Sequence, residues 1–218
     1  MRLIAVRHAE TEWNLAGREM GQLDRPLTER GLAQSEALAR RLATIPFDEL
    51  YTSDLGRAIE TAACITRTCG KFAHIDRGLR ERHMGVLQGL TPAEMNARYT
   101  KIRAEYERVG FYNQIPDGES AVERRDRSVQ VLSAIAARHP DRTVVAVTHG
   151  GLLAGFLEFV LELPFGGSRG FAKSHASLNQ FEYSASGWRL DIWNDVTHLE
   201  GRATEGQMIA PRRRRAAG

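Results

Sequence analysis

Two histidines close apolar, strand-like runs. His8 follows Leu3-Ile4-Ala5-Val6-Arg7, and His149 follows Thr143-Val144-Val145-Ala146-Val147-Thr148. Imidazoles in such places serve a core poorly and a reactive site well, because open α/β sheets bind ligands outside the carboxyl ends of their strands. Arg7 adjoins the first histidine, and Gly150-Gly151 follow the second. A third junction, Ser53 to Arg57, brings another guanidinium to the start of an expected helix. If these strands are parallel neighbours, all three junctions open onto one crevice. Helix N-termini attract anions through unpaired N–H groups and the macrodipole. With Arg7 and Arg57 added, the best-matched ligand is a phosphate, and the histidines would supply the chemistry. Each residue alone has a plainer explanation: a satisfied histidine, a solvated arginine, a tight glycine turn. Their joint placement at corresponding junctions has none.

The elements that must position these residues alternate along the chain. Leu3 to Val6 reads as a short buried strand. Thr28 can cap a helix carrying Leu32, Leu38, Leu42 and Ile45, which ends before Pro46. Glu49 to Thr52 is the next strand, and Ser53-Asp54 can cap a helix running to Gly70. Ala73 to Ile75 is a further short strand. Pro92 suits the start of a helix reaching the Arg98–Glu107 region. Asp117-Gly118 is a turn, and Ser120-Ala121-Val122-Glu123 is a capping box opening a helix through about Arg138. Thr143 to Val147 is the clearest strand, followed by a buried helix from Gly151 to Leu161. Asn179–Tyr183 and Trp188–Trp193 flank Ser186-Gly187 as a hairpin. The pattern predicts an α/β fold, a three-layer sandwich with a mostly parallel central sheet flanked by helices. Residues 1–200 would form its single domain, with 201–218 an arginine-rich tail.

At 218 residues, 42% hydrophobic and 26% charged, the composition is that of a globular chain. No apolar run is long enough for a membrane span, and strand-like sequence begins at once, with no signal-peptide pattern. Cys64 and Cys69 sit close together on one expected helix and make a poor disulfide pair. Together these features predict a cytoplasmic protein. The lysines are Lys71, Lys101 and Lys173, so most of the basic residues are arginine. Arginine suits bidentate binding of phosphate or carboxylate, although a GC-rich coding bias gives the same excess. Arg212 to Arg215, after Pro211, reads as a frayed, solvated tail, and no nucleic-acid or membrane partner is expected. His74, His83, His139, His175 and His198 are scattered without ligand spacing, so neither a metal site nor a cofactor is expected.

Taken in order, the motifs resemble those of the histidine phosphatase superfamily, the phosphoglycerate mutase-like family. The opening segment, Val6-Arg7-His8-Ala9-Glu10-Thr11-Glu12-Trp13-Asn14, is similar to its signature. Leu27-Thr28-Glu29-Arg30-Gly31 resembles its next motif, and Ser53-Asp54-Leu55-Gly56-Arg57-Ala58 with Thr61-Ala62 its second-arginine helix. Leu79-Arg80-Glu81, with Gly85 and Gly89, resembles its acid-bearing segment. Asp117-Gly118-Glu119-Ser120 and Thr148-His149-Gly150 complete the set.

The resemblance implies a metal-independent phosphomonoester phosphatase acting on a small phosphorylated metabolite. His8 would attack phosphorus to form a phosphohistidine. Arg7 and Arg57 would clamp the phosphoryl oxygens, with His149 and the Gly150 N–H completing the pocket. Asn14 would add a hydrogen bond to the phosphate, and Gly21 would lie beside the substrate. Glu81 would protonate the leaving oxygen and then deprotonate water. The chain departs from the pattern at Ala9, which replaces a glycine, at Met20, where relatives often carry a polar residue, and at Gln88, where many phosphatases have an acid. The alternative is a 2,3-bisphosphoglycerate-dependent phosphoglycerate mutase. Glu81 to Gly89 is similar to the mutase acid segment, and Arg98 falls where mutases place a substrate-binding lysine. A mutase must keep its phosphohistidine from water, which calls for a lid. The short passage from Glu81 to Asp117 has no room for the mutase insertion. A non-catalytic phospho-ligand-binding module is a third reading, and pairing into a homodimer is left open.

Overall fold

The computed structural model describes residues 1–102, 104 and 114–199, and the apolar runs form one six-stranded sheet. The elements are β1 (Arg2–Arg7), α1 (Glu12–Leu15), α2 (Glu29–Ala43), β2 (Glu49–Thr52), α3 (Gly56–Cys69) and β3 (Ala73–Ile75). After them come α4 (Pro92–Arg98), α5 (Ala121–Arg138), β4 (Thr143–Thr148), α6 (Gly150–Val160), β5 (Leu178–Ser184) and β6 (Gly187–Asp195). Strand order is β3-β2-β4-β1-β5-β6. The first four strands run parallel, and the β5–β6 hairpin adds an antiparallel edge.

Strands β1 and β4 are buried almost throughout, which is why they read as continuous apolar runs without alternation. Their successive side chains still part to opposite faces. Ile4 and Val6 join Val145, Val147, Leu38 and Leu42 under α2 and α3. Leu3 and Ala5 join Val144, Ala146, Leu132, Leu152 and Phe156 under α5 and α6. The result is the three-layer α/β sandwich that the alternation predicts.

Local signals mostly hold. Thr28 caps α2 by accepting the Gly31 N–H, and Thr91 and Ser120 both form capping boxes. Three details differ. Helix α3 takes no cap from Ser53 or Asp54; Leu55 holds the cap position, and Asp24 from a distant loop accepts the Gly56 N–H at 2.5 Å. Leu32 faces outward, because α2 lies at the surface and its buried stripe runs through Leu38 and Leu42. The polar stretch after His8 contains the short helix α1, capped by Thr11 and Asn14. Much of the expected helix beyond Arg98, and the arginine tail, lie outside the described residues.

Candidate active site at the carboxyl edge of the sheet

Register sets the site. Arg7 pairs with Thr148 at the ends of β1 and β4, so His8 and His149 emerge side by side. The His8 N–H donates to the Thr148 carbonyl at 2.9 Å, and the Ser53 N–H to the Val147 carbonyl at 3.0 Å, bringing the β2 junction to the same edge. The ring centroids of His8 and His149 lie 5.1 Å apart. Arg57, in the first turn of α3, is fully buried. His149 caps α6, whose first residue is Gly150; a Cβ there would lie 3.2 Å from Arg7 Nε, so the two groups touch.

The His8 ring is oriented by its neighbour. Its Nδ1 lies 2.7 Å from the Ala9 carbonyl oxygen. A carbonyl can only accept, so Nδ1 carries the proton and Nε2 keeps its lone pair. Burial pushes the His8 pKa well below 6.5, and the charges of Arg57, His149, Arg7 and His175 add to the effect. The ring is neutral, with its Nε2 lone pair unprotonated. Burial likewise lowers His149, helped by Arg57, Arg7 and Arg127.

Both guanidiniums are fixed from behind. Arg7 Nη1 donates to the Lys173 carbonyl. Arg57 Nη1 donates to the Leu23 carbonyl at 2.8 Å and to Asp24 at 3.0 Å, and Nη2 to the Gly21 carbonyl at 2.7 Å. Burial lowers the Arg7 pKa to about 10, which leaves it protonated at neutral pH. The Nε of each arginine and both ring nitrogens of His149 are buried without a hydrogen-bond partner among the described residues. Buried polar groups are normally satisfied. An anion placed here would satisfy the two guanidinium Nε–H groups and the single N–H of a neutral His149.

Glu81 approaches from the loop after β3. Its Oε2 accepts the Gly151 N–H at 2.9 Å, and its Oε1 accepts the Arg82 N–H at 2.7 Å. Three residues hold the segment in place. The Thr148 hydroxyl donates to the Leu79 carbonyl at 2.8 Å, Gln22 Nε2 donates to the Glu81 carbonyl at 3.0 Å, and Arg127 reaches the Gly78 and Arg80 carbonyls at 2.8 Å each.

The other expected residues are placed less centrally. Gly21, at φ +53°, supplies its carbonyl to Arg57 and would clash with Gln88 if it carried a Cβ. Asn14 spends its Oδ1 on Thr11, closing the α1 capping box, and keeps its amide nitrogen for other partners. Arg98 ends α4, exposed, and no described contact ties it to the histidines.

Four contributors escape sequence reasoning. His175, counted among the scattered histidines, sits 5.7 Å from His8, centroid to centroid. An antiparallel β5 must start where the parallel strands end, so the residues just before it face the site, a signal the hairpin already carried. Arg127, Gln22 and Asp24 act through long-range contacts that no local pattern announces.

The family model of the histidine phosphatase superfamily (branch 1) matches residues 3–196. The chain belongs to the histidine phosphatase superfamily. A metal-independent phosphoserine phosphatase of Arabidopsis thaliana is 36% identical over 200 residues, covering 90% of this chain and 82% of that protein. A phosphoglycerate mutase-like protein 4 of the same plant is 35% identical over 207 residues, covering 91% and 86%. Among solved superfamily structures, a mycobacterial glucosyl-3-phosphoglycerate phosphatase with VO3 superposes at TM-score 0.78 and 36% identity, covering 88% of this chain and 98% of that one. YhfR of Bacillus stearothermophilus reaches TM-score 0.86 at 28% identity, covering 91% and 98%.

Proposed function

We propose that the chain is a phosphomonoester phosphatase for a small phosphorylated metabolite, working through a phosphohistidine. One observation supports this reading: His8 and His149 stand side by side at the ends of β1 and β4, and the Nε groups of Arg7 and Arg57, from the same sheet edge, are buried without partners among the described residues.

In the first step His8 Nε2 attacks phosphorus opposite the ester oxygen. The P–N bond forms as the P–O bond breaks, and Glu81 gives its proton to the departing oxygen. Arg7, Arg57, His149 and the Gly150 N–H would hold the three phosphoryl oxygens, and Asn14 would add a further donor. Losing one such donor typically lowers the rate about 100- to 1000-fold. In the second step Glu81 takes a proton from water, whose oxygen attacks phosphorus and returns the lone pair to Nε2. Arginines neutralise the charge, so no metal or other cofactor enters.

Support for a phosphatase over a mutase comes from the passage beyond Glu81. The Glu119 N–H donates to the His83 carbonyl at 2.8 Å, so both ends of the short connection from Glu81 to Asp117 meet at the acid segment. The mutase-like relative keeps the alternative of a bisphosphoglycerate-dependent mutase in play, and Arg98 would then meet substrate from α4. We further propose residues 1–200 as one domain, 201–218 as an appended tail, and a cytoplasmic location consistent with two free cysteines. Among the described residues no helix is long and apolar enough to cross a membrane.

The test is chelator-treated protein offered a panel of phosphomonoesters, and 3-phosphoglycerate with or without 2,3-bisphosphoglycerate. Phosphate release, with an acid-labile phosphoprotein absent from His8→Ala, is the expected result. Isomerisation dependent on the bisphosphate would establish the mutase. Inertness of the wild type in both assays would leave a binding module.

A further inference from the structure

One peptide plane behind the phosphoryl clamp is held at both of its polar groups. The Lys173 carbonyl accepts a hydrogen bond from Arg7 Nη1, and the N–H of the same peptide, that of Ser174, donates to Asn194 Oδ1 at 2.6 Å. A trans peptide points these two groups in opposite directions and is rigid between them. Asn194 therefore sets where the oxygen that grips Arg7 stands. Were the plane to turn over, an N–H would face the guanidinium, donor against donor.

Asn194 holds an unfavourable backbone to do this. It lies near the end of β6, where the pairing with β5 slips between Leu178 and Gln180. Its φ is +56°, a left-handed conformation that residues other than glycine seldom adopt. Such an outlier persists only where its surroundings over-determine it. Here the Asn194 N–H donates to Asn179 Oδ1 at 2.8 Å, and Asn179 Nδ2 donates to the Ala5 carbonyl of β1 at 3.0 Å. Asn194 Nδ2 also reaches Ser174 Oγ at 3.3 Å. Next to it, Trp193 Nε1 donates to the Ala172 carbonyl at 2.6 Å, and Lys173 Nζ donates to the Ser168 and Phe171 carbonyls at 2.8 Å each. Trp193 and Lys173 steady the loop. Asn194 orients the one peptide that meets Arg7.

We propose that Asn194 is a positioning residue for phosphoryl binding: through the Lys173–Ser174 peptide it fixes Arg7, and the irregular end of β6 serves to deliver its side chain. The assignment rests on the phosphatase reading of the site, in which Arg7 clamps a phosphoryl oxygen.

Asn194→Gly removes the amide and suits the left-handed backbone, so the hairpin keeps its shape. On p-nitrophenyl phosphate and a panel of phosphomonoesters its kcat/KM should fall about 10- to 100-fold, and its Kd for inorganic phosphate should rise about tenfold. Asn194→Asp keeps an oxygen for the Ser174 N–H and should stay within about threefold of the wild type. Asn194→Ala should match the glycine variant in kinetics yet unfold at a lower temperature, because a methyl group is strained at positive φ. In an Arg7→Ala background, Asn194→Gly should change phosphate affinity by less than about twofold, since the side chain it positions is gone. A residue that merely braces the hairpin would lower the unfolding temperature and leave kcat/KM and phosphate affinity alone. That result, or an equal loss with and without the Arg7 side chain, would overturn the assignment. A wild type inert toward every ester would bring down the phosphatase reading instead, while the phosphate titrations still test the link from Asn194 to Arg7. A wild type that binds no phosphate would end both.

Discussion

Glu81 and Gly151 are in contact across the sheet edge: the glycine N–H donates to Oε2 at 2.9 Å, and a Cβ at residue 151 would lie 2.0 Å from Oε1. The absent side chain makes room for the carboxylate. Gly151→Ala must therefore displace Glu81, because the obstacle sits within the first turn of α6. If Glu81 is the proton donor, kcat should fall about 100- to 10,000-fold while inorganic phosphate still binds. Gly150→Ala meets Arg7 Nε at a milder 3.2 Å and should be felt chiefly in KM. Steady-state kinetics with phosphate titration separates the two, and equal effects on kcat from both variants would contradict the assignment.

Asp24 serves two masters, the N-terminus of α3 and the buried guanidinium of Arg57. Asp24→Asn removes the charge that balances Arg57 and weakens the cap. Because Asp24 is itself partly exposed, the loss should be about 1–2 kcal/mol, less than for a fully buried pair. Saturating inorganic phosphate should restore most of it, since an anion bound to the guanidinium takes over the balancing role. Thermal unfolding with and without phosphate gives the answer. A loss indifferent to phosphate would place the anion elsewhere.

The depressed histidines make stability fall in acid. In the folded chain His8 and His149 stay unprotonated well below 6.5, whereas unfolding restores that ordinary value. Below 6.5 the unfolded state therefore binds more protons, and stability drops by on the order of 1 kcal/mol per pH unit for each histidine. Glu19 works the other way between about 6 and 4.5, because its folded carboxyl holds a proton the unfolded one releases. Two groups outweigh one, so the midpoint of chemical unfolding should decline from pH 6.5 to 5.5. His149→Gln should make that decline shallower. A slope unaltered by the substitution would count against a depressed His149.

If residues 201–218 form an appended tail, removing them should leave phosphate-ester hydrolysis and unfolding midpoint unchanged within about twofold and about 0.5 kcal/mol. The comparison is a direct one between the full and shortened chains. A collapse of activity would mean that the arginine run belongs to the site.

How much of this was legible beforehand depended on distance along the chain. Thr28, Ser120 and the Ser186-Gly187 hairpin rest on contacts within a few residues, and they formed as read. His8, Arg57 and His149 were legible because strand ends are places the pattern marks. The α3 cap was misplaced onto Ser53-Asp54 since its true partner, Asp24, lies beyond any local window. Asp54 instead carries Arg80 and Arg77. His175 was passed over for the same reason: its place beside His8 appears only when segments far apart in the chain come together.

His8 is gripped from both sides of its strand, by the Thr148 carbonyl through its own N–H and by Ala176, whose N–H reaches the Arg7 and His8 carbonyls at 3.1 and 3.3 Å. The His8 ring thus grows from a buried seam bonded on both sides, where amide exchange should be slow. Gln22 and Gln88, by contrast, lie in loops outside the sheet, joined by the Gln22 N–H to the Gln88 side-chain oxygen. A new appetite could be grafted there by rewriting those loops while the seam beneath them stays as it is.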